Sequence, residues 1–359
     1  AKSNLGTTSN AIGQGVQVAA VEQQFTQGNI SFTNNNLDLA INGNGFFAVD
    51  EPSGARAYTR SGVFGVDKDG FVVNPTGHKL QGFQASNGAI TGAVGSIQLS
   101  TANIPPQVTS SMVVGVNLDA ASTAPSVAFD PAVPNSYNNV TSTTVFDSLG
   151  EEHLAAIYFR KTAANTWESH VRIDGDNAQT TAVVGLGFDN AGQLTTPMPV
   201  NYGAFTPTTG AAAFSINFDF SGSTQFGSQF GVNALSQNGY TTGRLNGVDI
   251  DENGVVQARF TNGESLAQAQ VVLANFANAQ GLQPISDSTW AETNSSGAAL
   301  VGAPGSASLG LIQAGALEES NVDLAEQLVK MIIAQRNYQA NAQMIQTEDE
   351  ITQTIINIR

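Results

Sequence analysis

Apolar residues alternate with polar ones in short bursts for most of this chain, and then the pattern changes. From Leu37, LDLAI sets Leu37, Leu39 and Ile41 against Asp38 and Ala40, the period-2 pattern of a half-buried strand. NGNG at Asn42 to Gly45 then turns the chain into FFAV. The device recurs at VFGVDKDGFVV, where Asp69-Gly70 is expected to take the positive φ angles of a tight hairpin turn, and again at RIDGDN, DIDENGVVQARF and FTNGESLAQAQVVLANF. Residues 1–35 are polar and punctuated by glycine; they read as an extended connector with a short strand at Val16, Val18 and Val21. ASTAPSVAFDPAVPNS and TTPMPVNYGAFTPTTGAAA loosen the pattern into loops. These breaks predict a β domain at 117–243 inserted between the halves, 36–116 and 244–314, of another.

After Gly315 neither glycine nor proline occurs, so residues 315–359 predict one long helix. Ser320 and Asp323 resemble a capping start, and the acidic residues there suit the positive end of a helix dipole. Leu324, Leu328, Met331, Tyr338, Ala342 and Ile345 follow a 4,3 spacing interrupted by Gln335; Ile351, Ile355 and Ile358 continue it in a shifted phase. Roughly 40 helical residues span about 60 Å, more than one small β domain covers, so the pattern predicts a seam for other helices. The fold class is therefore mainly β: two antiparallel β domains in series, the second inserted into the first, and a long C-terminal α-helix.

Composition narrows the function. Only 12% of residues are Asp, Glu, Lys or Arg, and the formal charge is -16, so no net field draws nucleic acid or an anionic membrane surface. No apolar run reaches the roughly 18 residues of a spanning helix, and residue 1 opens no signal peptide. Cysteine is absent, which removes disulfides and thiolate chemistry. The three histidines, His78, His153 and His170, are scattered and read as ordinary surface or core residues.

No motif completes a reaction centre. Asp249, Asp251, Asn253 and Gly254 fit the first half of a calcium loop, but Phe260 stands where its last ligand, a glutamate, belongs. A hairpin turn is the simpler reading. GQGVQV and NGNGFF lack the third glycine of a dinucleotide site. DSLGEEH, from Asp147 to His153, reads as a hairpin turn with solvated charges. Neither an enzymatic role, a cofactor nor a metal is expected.

The chain resembles the bacterial flagellar rod–hook axial family. NVDLAEQLVKMIIAQRNYQANAQMIQTEDEI at 321–351 is similar to that family's carboxyl-terminal signature, and NLDLAINGNGFFAV and YTRSGVFGVDKDGFVVNPTGHKLQGF to its first β-domain motifs. VFDSLGEEHLAAIYF at 145–159 and QNGYTTGRLNGVDIDENGVV at 237–256 resemble the hook branch in particular. The resemblance implies a structural subunit of an extracellular flagellar hook on the basal body, a curved tubular homo-polymer acting as a universal joint that transmits torque from rod to filament. It also implies type III export without a cleaved signal, and as partners the distal rod protein, the hook cap protein, the hook–filament junction protein and the flagellar export apparatus. In that family an amphipathic helix precedes the point where AKSNLG begins and pairs with the terminal helix, forming the inner core domain. A distal rod protein and, in another class, a secreted β-sandwich adhesin or glycan-binding module are the alternatives.

Overall fold

The computed structural model describes residues 22–86, 88–175 and 179–357; the strand expected at Val16, Val18 and Val21 lies outside them. The chain forms two compact units. One takes the described residues up to Leu99 with Asp249–Val256 and the residues from Gln268 onward; the other takes Ser100–Val248 and Gln257–Ala267.

In the first unit, strand Phe46–Asp50 is the hub. It pairs antiparallel with Arg56–Thr59, with Lys79–Ser86 and with Leu273–Asn275, in registers such as Phe47↔Thr59 and Val49↔Leu80. Phe46, Ala48, Tyr58, Val272, Ala274, Phe276 and Leu282 make a core in which the Tyr58 and Phe276 rings meet edge to face at 4.8 Å. Burial pushes the Tyr58 hydroxyl up to about 12, helped by nearby Glu292. Strand Leu39–Asn42 pairs with Leu311–Ala314 and departs from the half-buried reading of LDLAI. Leu39, Ala40 and Ile41 are all buried, so both faces are covered. Asp38 is tolerated inside because Thr33 and Asn35 donate side-chain hydrogen bonds to its carboxylate at 2.8 and 3.0 Å.

One turn chemistry recurs in both units. Asp67, Asn74, Asp147 and Asp189 each accept, through a side-chain oxygen, the N–H groups two and four residues on. In each, the N–H of the glycine three residues on bonds the carbonyl of the first residue. That glycine has positive φ: +84° at Gly70, +85° at Gly77, +84° at Gly150 and +76° at Gly192. In these four turns the signal is Asx-x-x-Gly rather than an Asp-Gly pair in which both residues turn left-handed; that pair occurs in RIDGDN, at Asp174 (φ +52°) and Gly175 (φ +73°). Asp251–Gly254 uses a related closure, its carboxylate accepting the Val255 N–H, so the calcium-like motif is a hairpin turn.

The second unit is a sandwich built from two four-stranded sheets. One orders Asn139–Phe146, Glu152–Ala163, Thr166–Ile173 and Val183–Gly187 as an antiparallel meander. The other orders Val200–Phe205, Phe214–Asp219, Ser111–Asn117 and Gly231–Gln237, with one parallel pairing, Asn217↔Ser111 to Asp219↔Val113. Alternate residues of both sheets share one core that includes Val145, Ile157, Phe159, Trp167, Val171, Phe214, Ile216, Phe218, Met112, Val114 and Val116. Trp167 is fully buried and its indole N–H donates to Gln225 at 3.0 Å.

Here DSLGEEH departs from its solvated reading. Asp147 is fully buried and His153 is 6% exposed; Glu151 and Glu152 alone of that stretch's charges face water. His153 lies between two carboxylates, 3.3 Å from Asp147 through Nε2 and 2.6 Å from Asp174 through Nδ1. Burial would raise the Asp147 carboxyl, but the N–H groups of Glu151 and Leu149, with His153 and Thr209, hold it below its ordinary value. Burial likewise opposes a charged His153, and its bonds to Asp174 and Asp147 outweigh that and raise its pKa. His170, by contrast, is buried flat against Phe129 at 3.8 Å, and its pKa is lowered by burial.

Candidate functional site

The segment after Gly315 begins as a strand, which corrects the expectation of helix throughout 315–359. Gly315 turns at φ +66°, and Ala316–Glu318 pairs antiparallel with Ile30–Phe32, Ala316 filling a fully buried position. The helix proper is Leu324–Asn357. Asp323 caps it: Oδ1 accepts the N–H groups of Ala325 at 2.8 Å and Glu326 at 3.3 Å. Ser320 stands ahead of the helix, accepting the Val322 N–H at 3.2 Å. Lys330 pairs with Glu326 one turn on, at 2.7 Å.

Along this helix, apolar residues stand in solvent. Leu324 is 74% exposed, Tyr338 77% and Met344 71%; Leu328, Met331, Ile345 and Ile351 are exposed as well, and Ala342 is half-buried. The Ile355 side chain and the whole of Ile358 lie outside the described residues. At about 100° per residue, Leu324, Leu328, Met331, Tyr338, Ala342 and Ile345 fall within an arc of about 100°. Ile351 falls on the opposite side, where Val329, Ile333, Ala340 and Met344 also lie.

Of that second side the seam read from the sequence included Ile351, in its shifted phase, but not Val329, Ile333, Ala340 or Met344, nor Ile332 between the two sides. That side's signal was available there. Val329, Ile333, Ala340, Met344 and Ile351 are separated by steps of 4, 7, 4 and 7, which hold one side of a straight helix because 11 residues close about three turns. A helix with apolar stripes on two sides offers contact surface in two directions, and Val329, Ile332 and Ile333 are exposed like the rest.

The helix root is held by polar contacts. Arg60 places Nε 2.8 Å from Glu318 Oε2, donates from Nη1 to the Gly45 carbonyl at 2.8 Å, and from Nη2 to the Gly43 carbonyl at 2.9 Å and to Glu318 Oε1 at 3.4 Å. Glu318 also accepts the Gly28 N–H at 2.8 Å, and Asn321 donates to the carbonyls of Gln24 and Thr26. A Cβ at Gly28 would stand 1.9 Å from the Glu319 carbonyl oxygen, so only glycine permits the two segments to approach so closely. Beside them a cleft of about 420 Å³ is lined by Phe25, Val63, Trp290 and Leu317 among others.

Three family models match. Residues 40–117 match the one described as flagellar hook protein FlgE/F/G D1 domain, residues 117–240 the flagellar basal body protein FlaE D2 domain, and residues 313–358 the flagellar basal body rod FlgEFG protein C-terminal. Flagellar hook protein FlgE of Escherichia coli (strain K12) is 37% identical over 356 residues, covering 97% of this chain and 88% of that protein. The protein of the same name from Salmonella typhimurium (strain LT2) is 38% identical over 358 residues, with the same coverage, and that from Treponema pallidum 31% identical over 407 residues, covering 99% and 87%. The crystal structure of Helicobacter pylori flagellar hook protein FlgE2 superposes with a TM-score of 0.63 at 15% identity, covering 80% of this chain and 100% of that one, a likeness of fold.

Proposed function

The chain belongs to the flagellar hook protein family, and from that membership we propose that it builds a hook by packing copies of itself through the terminal helix. It is a structural protein of the extracellular flagellum. The observation that carries the reading is the exposure of apolar side chains on two sides of Leu324–Asn357. An isolated helix gains nothing from such residues in water, whereas burying them against other helices removes apolar surface at about 25 cal/mol per Å². Within that surface we assign Leu324, Leu328, Met331, Tyr338, Ala342 and Ile345 to one side of the seam and Ile351, Ile355 and Ile358 to its continuation in the shifted phase, and add Val329, Ile333 and Met344 on the side where Ile351 lies. Asp323 fixes where the seam begins, and Ser320 the turn before it.

On this reading the sequence-based inner β domain, 36–116 and 244–314, corresponds to the first unit and the outer one, 117–243, to the second, whose compact unit also takes in Ser100 onward, including strand Ser111–Asn117, up to Val248 and Gln257–Ala267. Polar contacts of modest area exchange readily, which is what a bending joint requires of neighbouring subunits. Torque transmission from the rod, contact with the cap and junction proteins, and passage through the export apparatus belong to the same proposal. Electron microscopy of flagellar bases from a strain deleted for this gene tests it. Complete rods that end without hooks are expected; truncated rods or normal flagella would overturn the assignment.

A further inference from the structure

The buried contact at the helix root suggests a role beyond holding the first unit together. Arg60 and Glu318 are largely enclosed, with side-chain exposures of 18% and 9%. Around them meet three separate parts of the chain: the entering segment at Gly28, the turn at Gly43 and Gly45, and the departing strand at Glu318, six residues before the helix. Enclosing two charges is costly, and apolar residues of similar volume stabilise a fold at least as well. What an apolar pair lacks is direction. A guanidinium fork meets a carboxylate and two carbonyls in one geometry, and a lysine ammonium has no such fork.

We propose that Arg60 and Glu318 are a positioning pair, fixing the line on which the chain leaves the first unit to enter the terminal helix. The neighbouring bonds follow that line. Gly28 donates to Glu318, the Glu319 N–H donates to Asn29 at 2.8 Å, and Ile30–Phe32 pairs with Ala316–Glu318. Entering and departing segments are thereby clamped into one ribbon. The inference rests on the hook reading for its consequence, since the aim of the helix sets how copies meet, but the clamp itself is a property of the single chain.

The experiment compares Arg60→Met and Glu318→Gln with the unchanged chain by amide exchange, thermal melting and the shape of hooks restored to the deleted strain. Arg60→Met is expected to speed exchange at Gly28, Glu319 and Thr33 by about tenfold or more while amides of Phe46–Asp50 stay protected, because the ribbon opens without the core. Hooks should then form with altered curvature. Glu318→Gln keeps one acceptor oxygen where Gly28 and the Arg60 Nε each use their own and turns an NH2 toward the other donor, so its exchange should speed at the same amides as in Arg60→Met. Unchanged exchange and unchanged hooks in Arg60→Met would overturn the proposal. So would loss of protection throughout the first unit, since the pair would then be holding the fold rather than aiming the helix. If instead the deleted strain keeps normal hooks, the hook reading itself fails, and the exchange results still decide the clamp.

Discussion

The sandwich core of the second unit and the terminal helix spend apolar residues in opposite ways. In Glu152–Ala163, every second residue from His153 to Lys161 is buried, so the strand's apolar side is consumed within its own fold. In Leu324–Asn357 apolar side chains are as frequent, yet they stand in solvent on two sides. On the proposed reading the sandwich strands carry instructions for folding one chain, and the helix those for bringing chains together. A substitution should therefore damage stability in one region and assembly in the other.

The sharpest way to break that contrast is to charge the helix. Leu328→Asp with Ile345→Asp should abolish sedimentable polymer and leave melting of the β units within about 0.5 kcal/mol of the unchanged chain, because both positions are already exposed. Polymer that still sediments would move assembly elsewhere. The converse is Trp167→Ala, which empties a fully buried site in the sandwich and should cost about 3–5 kcal/mol, read by denaturant unfolding. Melting of the first unit should stay in place.

Acid and base sharpen the contrast further. The raised pKa of His153 means its stabilisation is complete below the unfolded value of about 6.5 and is lost as pH rises through the folded value. Asp147 works in the opposite sense: its contribution is present above about 3.9 and is lost as pH falls through its lowered folded value. Melting of the second unit should accordingly decline on the alkaline side. His153→Leu should abolish that decline, and an unaltered alkaline profile would show that the two carboxylates do not hold a charged ring. The smallest effect is expected of Asp323→Ala, about 1 kcal/mol of helix stability, seen by circular dichroism as fraying of the first turn.

Some of this was legible in the sequence and some was not, for reasons that differ by residue. The β character, the turns and the long terminal helix are all written locally, in period-2 alternation, in glycine after Asx, and in an uninterrupted run without glycine. The 4,3 spacing revealed one side of the helix. On the other side only the shifted phase at Ile351 was read, while Val329, Ile333 and Met344, which follow a straight-helix repeat, were passed over in reading for heptads. The first residues after Gly315 read as helix because nothing local forbids it; strand pairing with Ile30–Phe32 prevails through a partner almost 300 residues away. Burial of His153 was invisible for the same reason, since Asp174 reaches it, and Thr209 reaches its partner Asp147, from beyond its own hairpin. The clamp at Arg60 joins residues 258 apart and has no sequence signature.

The recurrent Asx-x-x-Gly turns also bear on how quickly the chain finds its structure. Each closes a loop of a few residues with bonds supplied by its own first side chain, so hairpins such as Phe146–Glu152 incur little closure entropy and fold on local information. The parallel pairing of Ser111–Val113 with Asn217–Asp219 is different: it must bring together segments about 100 residues apart before the second sheet has a centre. The same strand also pairs with Gly231–Gln237, so refolding of the second unit should be paced by those two long closures onto Ser111–Asn117, with its hairpins already formed and waiting on either side.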